Sequence, residues 1–166
     1  MKKITIIFMI LISTLLFCGC ENKNNPVDKE ETLKWTESDF EKYGLKDLNQ
    51  PSKYDINVYD KNVVDNNTIS ISLKCKKECT TEDATEYSQI LFDKANSISS
   101  DGLYNYSLDT DLKIVLNDKI SSLKDAELFV DQAEASYRFA YKYNNKTIIV
   151  NLNGNPETLT ISLSSK

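Results

Sequence analysis

Two cysteines, Cys75 and Cys79, carry the most reactive side chains in the interior of the sequence. The three residues between them give the spacing C-x3-C, whereas redox and zinc motifs use C-x2-C. Outside the cytoplasm, two cysteines this close together are most simply a disulfide. Such a bond would join the end of a predicted strand to the start of a predicted helix. Free thiols and a redox-active pair remain open as alternatives.

A row of aromatic residues near the C-terminus is the second candidate site. Tyr137, Phe139, Tyr141 and Tyr143 alternate with small and basic residues, which is the spacing of one face of a strand. Tyrosine presents a flat apolar ring and a hydroxyl, a combination that suits sugars and peptides. Two interpretations are open: the row packs beneath a helix, or it faces solvent and binds a ligand.

Acidic residues form two small groups, Asp109 with Asp111 and Asp60 with Asp65. Neither group has the order of ligands and the glycine of a calcium-binding loop. We therefore expect no metal site and no cofactor. A carboxylate pair that cleaves a glycosidic bond remains an alternative, because the sequence alone gives no distance between carboxyl groups.

Histidine is absent from the chain, and this excludes several classes of enzyme. Ser-His-Asp and Cys-His catalysis use imidazole as the base, and most catalytic zinc sites use it as a ligand. The formal net charge is −5, and Arg138 is the only arginine. Nucleic acid is not expected as a partner, because binding it requires a basic surface.

The first residues have the composition of a secretory leader. Two lysines follow Met1, and residues 4–17 are almost wholly apolar. This apolar run is shorter than the ~20 residues that a membrane-spanning helix needs. A positive start, a short apolar stretch and small residues near its end are typical of a signal peptide.

Gly19 and Cys20 close this leader, and they resemble the last two positions of the lipobox of bacterial lipoproteins. The resemblance covers residues 1–20 only. It implies that residues 1–19 are a signal peptide and that Cys20 receives a diacylglyceryl thioether and becomes the new N-terminus. Two or more acyl chains, of the palmitate type, give stable attachment. The resemblance thus implies an extracytoplasmic protein, lipid-anchored to the bacterial cell membrane. The alternatives are an ordinary signal peptide cut nearby and an uncleaved anchor.

The mature chain divides into a tether and one domain. Residues 20–33 are polar and have too few apolar side chains to form a core, so we predict a flexible tether there. Residues 34–166 are long enough for a single small domain.

Apolar periodicity predicts an α+β domain. Short strands are expected at 54–59 and 69–73, with a short helix before them that stops at Gly44. The main helix begins at Thr80 and ends before Gly102. Its apolar stripe, predicted to include Ile90, lies on one face, with Glu86 and Asp93 outside it. Strand–strand–helix order favours a helix packed on an antiparallel sheet.

The second half of the domain is predicted less completely. A strand is expected at 112–117, and residues 123–133 suit either a bent strand or a short helix, of which we favour the helix. Three further strands, separated by asparagine-rich turns, predict a C-terminal β-meander.

The function that fits this organisation best is a non-catalytic surface module. It would bind a protein, a peptide or a polymer of the cell envelope. One alternative is an extracytoplasmic enzyme that acts on an envelope polymer through carboxylates. A further alternative is an assembly role within a larger envelope complex. Fold alone does not decide between them.

Overall fold

An eight-stranded antiparallel sheet forms most of the domain. The computed structural model describes residues 35–65 and 67–166, so the predicted signal peptide, Cys20 and the tether lie outside the described residues. The side chains of residues 55–66 lie outside them too. In chain order, the elements are α1 (Ser38–Glu41), β1 (Tyr54–Asp65), β2 (Thr68–Cys75), α2 (Thr81–Ile98), β3 (Leu103–Leu108), β4 (Ile114–Ile120), a 3₁₀ turn (Leu123–Ala126), β5 (Glu127–Val130), β6 (Ala135–Tyr143), β7 (Lys146–Gly154) and β8 (Thr158–Ser165).

The strand order is β1-β2-β8-β7-β6-β3-β4, with β5 paired to β6. All pairs are antiparallel. Strands β6, β7 and β8 follow one another as a meander, and Asn144 and Asn145 adopt positive φ angles of 48° and 61° in the turn between the first two. Asparagine tolerates this conformation better than most residues, which is why it suits a two-residue hairpin turn. The predicted fold class is confirmed: an α+β domain with one main helix on an antiparallel sheet and a C-terminal meander.

The two faces of the sheet differ in chemistry because apolar and polar residues alternate along its strands. On β2, Ile69, Ile71 and Leu73 are buried in the core. The opposite face of β2 and β8 carries hydroxyl groups that hydrogen bond across the strands. Their O···O distances are 3.1, 2.8 and 2.9 Å, for Thr68 with Ser164, Ser70 with Ser162, and Ser72 with Thr160. One face of these two strands therefore builds the core, and the other is a polar surface.

Helix α2 begins with a capping box and packs on the core face of the sheet. The Thr80 side chain accepts the Asp83 N–H, and the Asp83 carboxylate accepts the Thr80 N–H. This satisfies donors that the first helical turn would otherwise leave without a partner. A disulfide joins Cys75 at the end of β2 to Cys79, two residues before the helix, with a Cα–Cα distance of 5.8 Å. The predicted disulfide is thus present, and it fixes the connection from strand to helix.

The short helix α1 ends close to a glycine, as predicted. Gly44 has a φ of +80°, a left-handed conformation that favours glycine. The Tyr143 ring also lies so close that a Cβ at this position would be 2.7 Å from it.

The prediction for residues 123–133 is wrong beyond its first turn. Leu123–Ala126 form a single 3₁₀ turn, in which both terminal side chains are buried. Residues Glu127–Val130 then form a strand, because their backbone pairs with the start of β6. Strand β3 was not predicted from the sequence. It pairs with the other end of the same edge of β6, where Leu103 lies opposite Tyr141.

Across 35–65 and 67–166, no helix has both the length and the apolar character required to cross a bilayer.

Candidate functional site

The aromatic row lies in the core rather than on an open surface. Tyr137, Phe139 and Tyr141 are 3%, 0% and 0% exposed, and Tyr143 is half-buried against the same core. Helix α2 covers the row: Phe92 packs edge-to-face on Phe139, with ring centroids 5.4 Å apart. The interpretation of the row as a ligand-binding surface is therefore corrected, because the buried rings offer no surface to a ligand.

The acidic group at 109–111 has a local structural role. One carboxylate oxygen of Asp109 accepts the N–H groups of Asp111 and Lys113, at 2.9 and 2.8 Å, and so holds the turn between β3 and β4. Asp60 and Asp65 lie in β1, and their side chains are outside the described residues. Among the residues that can be described, no three His, Cys, Asp or Glu side chains gather into a group able to hold a metal ion.

A groove lies between helix α2 and the segment that leads into β1. Its volume is about 640 Å³, within the range of ligand sites in proteins. Residues 47–54 form one wall, and the other is a face of α2 that carries Asp83, Glu86, Tyr87, Ile90, Asp93, Lys94 and Ser97.

Two side-chain hydrogen bonds hold the first wall in place. The Trp35 indole N–H donates to the Leu48 carbonyl at 3.1 Å, and the Tyr87 hydroxyl donates to the Asn49 carbonyl at 2.8 Å. Leu48 and Pro51 are buried in the same wall. The wall of the groove is therefore held by the core and does not depend on a ligand for its position.

The helical wall combines charge with exposed apolar surface. Glu86, Ile90 and Asp93 are spaced four and three residues apart, so they share one face of the helix. Ile90 is 56% exposed, although it lies on the wall of a concave site. The exposed Ile90 side chain, flanked by two carboxylates, gives this wall an apolar centre and acidic ends.

An ion pair crosses the groove at one end. Lys53 Nζ lies 2.8 Å from a carboxylate oxygen of Asp83, whose side chain is only 10% exposed. The Lys53 ammonium holds the pKa of the Asp83 carboxyl below its usual range, and the Thr80 hydrogen bonds act in the same direction. The carboxylate in turn raises the pKa of Lys53. Both groups are charged at neutral pH, so Asp83 is a poor donor of protons.

Tyr54 also lines the groove, but its hydroxyl is buried away from solvent. The side chain is fully buried, and the hydroxyl has no hydrogen-bond partner within the part of the chain that the structure describes. Burial, with a smaller effect from Asp83, raises the pKa of Tyr54 to about 12. The hydroxyl is therefore protonated at neutral pH and is a donor without an acceptor.

The groove as a whole combines an excess of acidic side chains with apolar surface. It is lined by four carboxylates, those of Asp47, Asp83, Glu86 and Asp93, against the two ammonium groups of Lys53 and Lys94. This arrangement is suited to binding a ligand by charge and apolar contact.

No protein-family model, curated protein or solved structure matches the chain.

This site was not predicted from the sequence, although one signal for it is present there. The helical pattern predicts Glu86 and Asp93 on the outer face of the helix but groups Ile90 with the buried stripe. An isoleucine that lies between two carboxylates at helical spacing indicates an apolar contact on a polar face. The approach of residues 47–54 to that face has no sequence signal of its own, because it depends on tertiary packing.

Proposed function

We propose that the chain is a cell-envelope lipoprotein and that its domain is a non-catalytic binding module whose ligand occupies the groove. The observation that supports this is the groove itself, about 640 Å³ between α2 and residues 47–54. Its walls are held by the core, and it exposes Ile90 to solvent. An apolar side chain within a concave, charged site favours recognition of a ligand.

The alternative, an enzyme acting through carboxylates, receives less support from the groove. A general acid in such an enzyme has its pKa raised towards neutrality. The pKa of Asp83 is shifted in the opposite direction by Lys53. Asp83 would be ionised throughout the neutral range and would serve better to orient charge than to donate a proton.

Site-specific photo-crosslinking in intact cells tests the binding function. A photoreactive phenylalanine analogue would replace Ile90 in the full-length protein, and Leu128 would be the matched control. Ile90 and Leu128 are 56% and 53% exposed, but Leu128 lies on β5 and does not line the groove. We expect a single major adduct from position 90 that is absent from position 128. The same adducts from both positions, or none from position 90, would contradict the proposal.

Membrane attachment is tested separately through Cys20. We expect the C20S variant to be released from the membrane fraction, whereas the wild type remains there and carries the mass of an acylated N-terminus. Retention of the variant in the membrane, or an N-terminus without lipid, would be the opposite result.

A further inference from the structure

We infer that the groove recognises a cationic peptide segment in which an apolar side chain lies between basic ones. This inference rests on the proposed function, since it specifies the ligand of the same groove. It is drawn from the charge of the walls and the position of the exposed Ile90 side chain.

The charge of the groove favours a cation. Lys53 and Asp83 form an ion pair at one end, so they largely neutralise each other. The remaining charged groups that line the groove are three carboxylates, those of Asp47, Glu86 and Asp93, and one ammonium group, that of Lys94. Both Glu86 and Asp93 are exposed to solvent. An anionic ligand would meet this negative excess on entry, whereas a cationic one would be attracted by it.

The spacing along α2 favours two cationic groups with an apolar group between them. Glu86 and Asp93 are seven residues apart, which places them about 10 Å apart along the helix axis. Ile90 lies between them, with more than half of its side chain exposed. Lysine or arginine on either side of an apolar residue matches this order of acid, apolar surface and acid.

A peptide carries both kinds of group in one short chain. Its basic side chains can approach the carboxylates of Glu86 and Asp93, and its apolar side chain can contact Ile90. The Asp93 carboxylate also accepts a hydrogen bond from the Gln89 amide at 2.9 Å, one turn earlier on the same helix.

The test uses three peptides whose outer side chains are cationic, neutral or anionic. They are acetylated, amidated tripeptides of sequence Lys-Leu-Lys, Gln-Leu-Gln and Glu-Leu-Glu, titrated into the full mature chain at low salt. The readout is the chemical shift of backbone amides, which reports both affinity and position. We expect the lysine peptide to shift amides of α2 and residues 47–54, with tighter binding than the glutamine peptide and least from the glutamate peptide.

A variant that lacks two carboxylates of the groove tests whether charge determines the affinity for the lysine peptide. Replacing Glu86→Gln and Asp93→Asn together should weaken binding of the lysine peptide by about fivefold, because each exposed pair contributes modestly. The same replacement should leave the glutamine peptide unchanged. Asp118→Asn on the exposed face of β4 is the control and should change neither affinity.

The inference is overturned if the glutamine or glutamate peptide binds as tightly as the lysine peptide. It is also overturned if the double variant keeps the wild-type affinity, or if no peptide shifts the groove. In the last case, an adduct from the photoreactive group at position 90 would still support a binding function. The ligand class would then be wrong and the proposed function would stand.

Discussion

Gly154 and Ala84 meet where helix α2 crosses the end of β7. A Cβ built on Gly154 would overlap the Cβ of Ala84 and would lie 3.3 Å from the Cδ1 of Leu159. The φ angle of Gly154 is not in the left-handed region, so the backbone conformation does not require a glycine. The glycine is required because the helix and the strand leave no space for a Cβ. The closeness of this contact sets how tightly α2 packs on the sheet.

Replacing Gly154 by alanine should therefore destabilise the domain. We expect the free energy of unfolding to fall by about 1–3 kcal/mol, because an added methyl group must displace either the helix or the strand. Chemical denaturation followed by circular dichroism measures this. The G154A/A84G double variant should lose less stability than the two single changes together, and simple additivity would mean that the contact does not cause the loss.

Tyr54→Phe should leave the domain as stable as the wild type or more stable. The hydroxyl that it removes has no partner, and a buried donor without an acceptor costs about 1–3 kcal/mol. Tyr141→Phe is the matched comparison, because that buried hydroxyl donates to the Tyr43 carbonyl at 2.6 Å. We expect Y141F to lose about 1–2 kcal/mol. Equal losses in the two variants, measured by urea unfolding, would mean that the Tyr54 hydroxyl is bonded in solution.

The free energy of unfolding should fall in acid, partly because Asp83 becomes protonated. The pKa of this carboxyl is lower in the folded protein than its ordinary value of 3.8. Its contribution to stability is therefore present at neutral pH and is lost as the pH falls below about 4, through the folded pKa. Asp101, Asp125 and Asp131 are shifted in the same direction and add to the loss.

The Lys53→Met variant measures how much of the pKa shift of Asp83 is caused by the ion pair. Because Lys53 is the largest cause of the shift, the pKa of Asp83 should rise in this variant, as observed by NMR titration of the carboxyl carbon. The Thr80 hydrogen bonds still lower the pKa of Asp83 in this variant, whereas burial raises it. Lys113→Met, which removes a distant exposed ion pair, should leave the titration of Asp83 unchanged. A titration of Asp83 that is the same in K53M and wild type would contradict the role of the pair.

Loss of the disulfide should weaken the domain without unfolding it. The loop between Cys75 and Cys79 is short, so its closure restricts the unfolded chain by only about 2 kcal/mol. The capping box at Thr80 and Asp83 still begins the helix in the C75S/C79S variant. The C75S/C79S variant should have the same free energy of unfolding in urea as the wild type measured in the presence of a reductant. Unchanged stability on reduction would mean that the bond adds nothing to the fold.

The fold was largely predictable because its signals are local. Ile69, Ile71 and Leu73 alternate with polar residues, and Thr80 with Asp83 marks the start of a helix. Each pattern follows from the geometry of one strand or one helical turn. The disulfide was predictable for the same reason, since its two cysteines are only four residues apart.

The groove was not predictable, and neither was β5, because both depend on contacts between distant segments. The sequence of β5, Glu-Leu-Phe-Val, does not alternate between apolar and polar residues, and all four residues are exposed. The segment is a strand because its backbone pairs with β6. Tyr54 is conspicuous only because its surroundings provide no acceptor. Ile90 was assigned to the core because apolar side chains at helical spacing usually belong there.

Trp35, the first described residue, lies against Phe40 with ring centroids 4.4 Å apart and donates its indole N–H to Leu48 in the wall of the groove. If Cys20 is lipidated, only residues 21–34 separate the lipid from this point. Fourteen residues span at most about 50 Å when fully extended. The groove would then stay within about that distance of the bilayer surface. A ligand held in the same membrane would therefore have a higher effective concentration at the groove than the same ligand free in solution.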